Sequence, residues 1–343
     1  MTTSFSSGRL LAGSEAGLRQ SIEQFSAQAV DYVWTPTAGD VYSKRRTTLA
    51  NASAPVTGKG TFMRKAQRTL RFLPSEKPGW WIRRTDLHEQ LMVEVSARNI
   101  WTSQRNIVLR AGSPHNYLRM VEHIVALRRG MGIDNVIVET DSGDPPLFDR
   151  SSMDLVEALE EAGTRELAEA APLVTVREPV SIAGHRGDFI TLLPAQAGET
   201  KLCMDVAVDF QSVVGRQRIQ FEVTPKSFRH GAFARTNATH AQMILTKTLG
   251  VFLAETRNLG NTRENILIHG RKKYVNPPRM TEAVPGKSLE PVWHRAVLDL
   301  LAAISLIDSG RFVGRVVSYR AGHTLDCRLV TLLYLHDLLV PHA

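Results

Sequence analysis

The stretch VEHIVALRRGMGIDNVIVE, residues 121–139, carries two secondary-structure signals back to back. An apolar run opening on Glu122 and His123 reads as a helix over 119–130. After Gly-Ile-Asp-Asn, NVIVET at 135–140 is a β-branched run that reads as a strand. Adjacent residues on a helix diverge by roughly 100°, so Glu122 and His123 cannot grip one metal from a regular turn. They can divide the labour, the imidazole as ligand and the carboxylate as general base. They can equally be the ordinary polar start of a buried helix.

Working outward, short β-like runs precede this stretch: RTLRFL, GWWIRRTDL and RNIVLRAG. MDLVEALEEAG follows as a helix ending at Gly163. The pattern then restarts with strands around LVTVREPVSI, DFITLLP, LCMDVAVDF and RIQFEV. Helices follow at about 239–257 and 290–307, then a strand GRVVSYR and a C-terminal helix. Strands then helices, twice over, predict an α+β protein of two similar domains, over 49–168 and 169–343. Ahead of them, residues 1–48 read as an extension with an amphipathic helix at 15–34. There Leu18, Ile22, Phe25 and Ala29 recur at spacings of three and four. That apolar face is expected to dock on the body or on a protein partner.

The 343 residues are 43% hydrophobic and 22% charged, the balance of a soluble globular chain. No apolar run has spanning length, and the Ser-rich start lacks a signal-peptide core. Cytoplasmic placement is therefore expected. The two cysteines, Cys203 and Cys327, lie far apart and read as buried thiols. A net charge of +8 favours an anionic partner, such as a phosphorylated metabolite or, by peripheral contact, an anionic membrane surface. No nucleic-acid motif accompanies the charge, so no nucleic acid is expected.

Three further pieces carry candidate chemistry. In EPVWHRAVLDLL, residues 290–301, His294 and Asp299 stand five apart, roughly 140° around a regular helix, which is poor for shared ligation. In YRAGHTLD, residues 319–326, a loop after a strand could present His323 as a proton donor, and an N-terminal helix position for Thr324 would explain the stretch as well. In FARTNAT, residues 233–239, a threonine hydroxyl could stabilise an oxyanion or simply cap the next helix.

Taken in order, these blocks resemble the UDP-3-O-acyl-N-acetylglucosamine deacetylase family, the zinc amidohydrolases of lipid A biosynthesis. The resemblance runs from about residue 56 to 336. It includes TGKG at 57–60, PGWWIRRTDL at 78–87, VEHIVALRRGMGIDNVIVE at 121–139 and PPLFDRSSMDLVEALEEAG at 145–163. ART at 234–236, EPVWHRAVLD at 290–299 and VGRVVSYRAGHTLD at 313–326 complete it. The resemblance implies two α+β domains, with helical layers packed between two sheets and the site at their junction. It implies Zn2+ held by His123, His294 and a helix carboxylate, Asp299 being the nearest. Glu122 would activate water, His323 would be the general acid, and Thr236 would help hold the oxyanion. Arg295 and Arg320 would suit the diphosphate of an anionic sugar-nucleotide lipid substrate. The reaction implied is removal of an N-acetyl group from a UDP-linked acylated glucosamine or a related amino sugar.

The chain also departs from the family pattern. The family's third ligand sits four residues after the histidine, where this chain has Leu298. A π-bulge would absorb the extra residue. The family's second helix aspartate, which orients the late histidine, has no counterpart in LLAAISL. The histidine after TGxG is replaced by Thr61-Phe62, and segment 237–258 is longer than its counterpart. These changes motivate an alternative, a catalytically impaired paralogue acting as a binding or regulatory protein.

Overall fold

A computed structural model describes residues 5–37, 39–62, 66–89, 91–146, 149–252, 262–281 and 283–343. Eight α-helices are described: α1 (Glu15–Ser26), α2 (Glu122–Gly130), α3 (Met153–Ala162), α4 (Pro225–Gly231), α5 (His240–Lys247), α6 (Glu290–His294), α7 (Leu301–Ser305) and α8 (His323–Leu335). A π-helical turn, Arg295–Leu300, joins α6 to α7. The expected helix 239–257 is described as α5 and a short 3-10 turn, Leu249–Phe252; residues from 253 on lie outside the described residues.

Two sheets organise the chain. In the first, Val56–Lys59, Gln67–Pro74, Val136–Thr140, Trp80–Arg84 and Val93–Glu94 lie side by side. In the second, the central five are Val180–Ala183, Phe189–Leu193, Gly314–Tyr319, Leu202–Asp209 and Arg216–Glu222. Both sets run in the spatial order first, second, fifth, third, fourth along the chain. Their neighbours pair antiparallel, antiparallel, parallel, antiparallel in each case. In each half a helix precedes the central fifth strand and another follows it: α2 and α3 in the first, α6–α7 and α8 in the second. The repetition expected from the element pattern is thus a repetition of strand order and sense.

The halves share one core. Ile124, Val125 and Leu127 of α2 belong to the same buried cluster as Ala302, Ala303 and Ile304 of α7, and α2 packs along α7 and the π turn. Apolar residues from both sheets, such as Phe72, Trp80, Ile190 and Val206, close this cluster on either side. Such burial of large aliphatic and aromatic side chains is what makes the helical layer rigid.

The N-terminal residues are built into the second sheet rather than appended to it. Arg9–Ala12 adds to one edge, parallel to Val180–Ala183, and Tyr32–Trp34 adds to the other, parallel to Arg216–Glu222. Between them α1, capped by the Ser14 side chain, lays Leu18 and Phe25 on Phe189, Val317 and Tyr319. Its apolar face is spent on the body, the first of the two placements expected for residues 15–34. Arg218 fastens the helix end: it donates to the carbonyls of Phe25 and Gln28 while pairing bidentately with buried Asp205. Residues 45–49 then pair with 164–170, so the strand after α3 stays with the first half. Among the described residues, no helix is long and apolar enough to cross a membrane.

Phe25 is 1% exposed and touches Phe189 and Tyr319 edge-on. Phe25→Ala is expected to cost about 3–5 kcal/mol, read as a lower urea midpoint. Amide-exchange protection should fall over residues 9–34, because α1 and its flanking edge strands depend on that contact.

Candidate active site

The residues that the sequence singled out converge where α2, the π turn and α8 meet. Helix α2 is buried along most of its length, yet His123 stands half-buried at its start, as Asp299 does in the otherwise buried π turn. The His123 and His294 rings lie 5.5 Å apart, centroid to centroid. His294 Nδ1 is 3.5 Å from Asp299 Oδ1, and His323 Nε2 is 3.5 Å from that same oxygen and 3.8 Å from Glu122 Oε1.

Asp299 reaches this cluster because of the π turn. On a regular helix a five-residue step turns the two side chains apart. Here the Leu301 N–H donates to the Ala296 carbonyl, five residues back. That i to i−5 pattern brings residues five apart onto one face. Gly231 at the end of α4 lets the turn pack closely, since a Cβ there would sit 2.5 Å from Val297.

The histidines differ in their surroundings. The Ser152 hydroxyl donates to the His123 carbonyl, and its oxygen lies 3.3 Å from His123 Nδ1. A hydroxyl has one proton, so Nδ1 is the donor in that contact and Nε2 keeps its lone pair. Burial, with His294 alongside, lowers the His123 pKa to about 3, so the ring is neutral at pH 7. For His323, burial disfavours the charge, but the Asp299 and Glu122 carboxylates outweigh it and raise its pKa. Its Nδ1 has no partner among the described residues, so the orienting carboxylate absent from LLAAISL is not replaced.

Burial raises the pKa of Glu122, against the pull of His323 and of the Ile107 N–H that donates to Oε2 at 2.9 Å. Asp299 is the opposite case: burial pushes it up, yet His294 and His323 hold it below the usual carboxylate range. The two carboxylates therefore differ in proton affinity, the arrangement that separates base from fixed anion.

Thr236 and Arg320 line one cleft with His294, Asp299 and Asn237. Arg295 lines the same cleft and is at the same time tied to α8. Two of its nitrogens bind Asp326 of α8 at 2.7 and 2.5 Å, and one also reaches Ser318. The guanidinium is committed to holding α8 against the π turn, and only Nε is without a partner among the described residues. Sequence reasoning missed this pair although Asp326 stands three residues after His323, and it missed Ser152. The serine pair opening α3 offered a signal for the latter.

Three His-bearing helices and two carboxylates at the junction of two repeated sheets define an imidazole–carboxylate centre. As arranged, no three His, Cys, Asp or Glu side chains among the described residues are spaced to hold a metal ion. The family model described as UDP-3-O-acyl N-acetylglycosamine deacetylase matches residues 46–334. The chain belongs to that family. A Solibacter usitatus protein named UDP-3-O-acyl-N-acetylglucosamine deacetylase is 27% identical over 265 residues, 76% of this chain and 82% of that protein. A Trichormus variabilis protein of the same name is 28% identical over 265 residues, 76% and 88% of the two chains. One from Geobacter sp. strain M21 is 27% identical over 266 residues, 77% and 81%.

The Arg295–Asp326 pair is a structural tie in this geometry. Arg295→Met, which strands a buried carboxylate, is expected to cost about 3–5 kcal/mol in chemical unfolding. Arg320→Ala, at an exposed cleft residue, should leave the unfolding midpoint nearly unchanged. Equal, small effects on stability would contradict the placement.

Proposed function

We propose that this chain is a zinc-dependent deacetylase that hydrolyses the N-acetyl group of a UDP-linked acylated glucosamine. The observation that carries the reading is the π turn, which returns an out-of-step carboxylate to His294 in a chain of this family. It also weighs against the impaired-paralogue alternative, whose first motive was that lost register.

The donor set fits zinc in its chemistry. His123 is neutral with its Nε2 lone pair uncommitted, and buried His294 Nε2 and Asp299 Oδ1 have no hydrogen-bond partner among the described residues. The 3.5 Å between His294 Nδ1 and Asp299 Oδ1 is long for a charge-assisted bond. His123, His294 and Asp299 would hold the ion. When bound, zinc would act as a Lewis acid on the acetyl carbonyl and make water a better nucleophile.

The remaining chemistry falls to the side chains. Glu122 accepts the proton of the attacking water, and its burial makes it a stronger base than a solvated carboxylate. The Ile107 N–H holds its other oxygen, which keeps Oε1 toward His323. His323, whose pKa two neighbouring carboxylates raise against burial, donates from Nε2 to the departing sugar nitrogen. The Thr236 hydroxyl donates to the developing oxyanion. Arg320 lies at the mouth of the cleft, suited to the diphosphate, and Asp299 stays ionised throughout.

Purified protein reconstituted with zinc should release acetate from UDP-3-O-acyl-N-acetylglucosamine. Glu122→Ala should keep the metal and lose at least ~100-fold in kcat, the range for a lost general base. Metal analysis that finds no zinc after reconstitution would sink the cofactor assignment, and an intact wild-type protein with no turnover would sink the activity.

Deleting Ala296 tests the π turn itself. The deletion places Asp299 four residues after His294 on a regular helix, the spacing of the family. The protein should stay folded and keep both zinc and activity within about tenfold, whereas Asp299→Ala should lose zinc, consistent with the 10–100-fold or greater cost of disturbing a metal shell. Loss of zinc in the deletion variant, with an intact circular dichroism spectrum, would show that the turn does not set the ligand.

A further inference from the structure

At the opposite end of α2 from Glu122, Arg128 and Arg129 close the last turn, roughly 10 Å along the helix. With Arg46, Asp134, Asp308 and Arg311 they line a small cavity of about 20 Å3 between the two halves. Its two carboxylates are already committed. Asp134 takes paired bonds from Arg311 at 2.8 and 2.6 Å and a third from the Thr47 N–H at 2.8 Å. Asp308 accepts from Arg98 at 2.8 Å, from Tyr334 at 2.7 Å and from Ser96.

Arg128 and Arg129 are left without a carboxylate partner among the described residues. Arg128 Nη1 donates to the Ser305 carbonyl at 3.0 Å. Arg129 is 5% exposed, lies 4.7 Å from the Tyr42 ring centroid and donates from Nη2 to the Phe312 carbonyl. Its Nε and Nη1 have no partner among the described residues. The negative end of α2 offsets about half a charge, short of two guanidinium ions. A buried cation with unmet donors is costly unless a counter-charge joins it.

We infer that this cavity is a binding site for a small monovalent anion of chloride size, held by Arg129 Nη1 with Arg128 beside it. The volume suits one compact occupant, since a single water needs about 10–15 Å3. A phosphate with its four oxygens is too large. Water would satisfy the N–H groups and leave the charge unbalanced. The anion bridges the end of α2 to the segment 304–312 of the second half, so its binding favours the assembled pair of halves over the unfolded chain.

The test holds ionic strength constant while chloride replaces gluconate, which is too bulky for the cavity. The melting temperature of the full chain should rise by a few degrees and saturate with chloride. Arg129→Met should flatten that response. Crystals soaked in bromide should give an anomalous peak within hydrogen-bond reach of Arg129. Equal melting temperatures in the two salts, or a full chloride response in Arg129→Met, would overturn the inference. Should the variant not fold, bromide diffraction on the wild type decides: a cavity holding only water, or nothing, refutes the site.

Discussion

The site depends on a buried helix that changes its winding for six residues. Residues 290–305 lie in the middle of the core, and almost every position from Glu290 to Ile304 is shielded from solvent. A helix so confined cannot rotate to bring Asp299 toward His294, because rotation would expose Val297 or Leu298 and strip their packing. Absorbing one residue as a π turn leaves α6 and α7 in register with their neighbours and moves only the segment between. The turn keeps its backbone bonds, so the cost is local. Gly231 of α4 lowers that cost by leaving room for Val297.

The repeated sheet order explains why the chemistry gathers at this place. In each half the helix before the central strand and the helix after it approach the same junction. The first half brings His123 with Glu122 at the start of α2, and Ser152 just ahead of α3. The second brings His294 with Asp299 and, at the start of α8, His323. Side chains at corresponding places in the two halves thus meet across the junction, and the shared core fixes their spacing. Arg295 and Asp326 bind α8 to the π turn from inside, so His323 and Asp299 are tied together through that ion pair. Loosening that ion pair would disturb both groups at once.

How much of this could be read in the residues varied with the range of the interaction involved. Helices and strands with clear local periodicity, such as MDLVEALEEAG ending at Gly163 or the strand after Gly-Ile-Asp-Asn, were legible because their signals are local. The extra residue between His294 and Asp299 was visible only as a departure from a family spacing, and its resolution depended on packing. Arg295 carries a charge that reads as substrate-facing; that it is paired with Asp326 follows from a contact across 31 residues. The edge strands RLLA and YVW are too short to show a period, and parallel pairing to distant strands supplies most of their order.

Those edge strands bear on the site more than their length suggests. They lie outside the matched residues 46–334, yet the chain between them reaches the cleft beside His323. Gly13 and Ser14 line it together with Arg186, Arg320 and Arg328. The wall they form is held by α1, which is held by Phe25 and by Arg218 from within the second sheet. A segment outside the family match is therefore coupled by packing to the mouth of the site. Whatever enters past Arg320 meets a surface of which one side is set by the N-terminal segment. The segment thus forms one side of that entrance, with its apolar face turned inward and its loop toward the cleft.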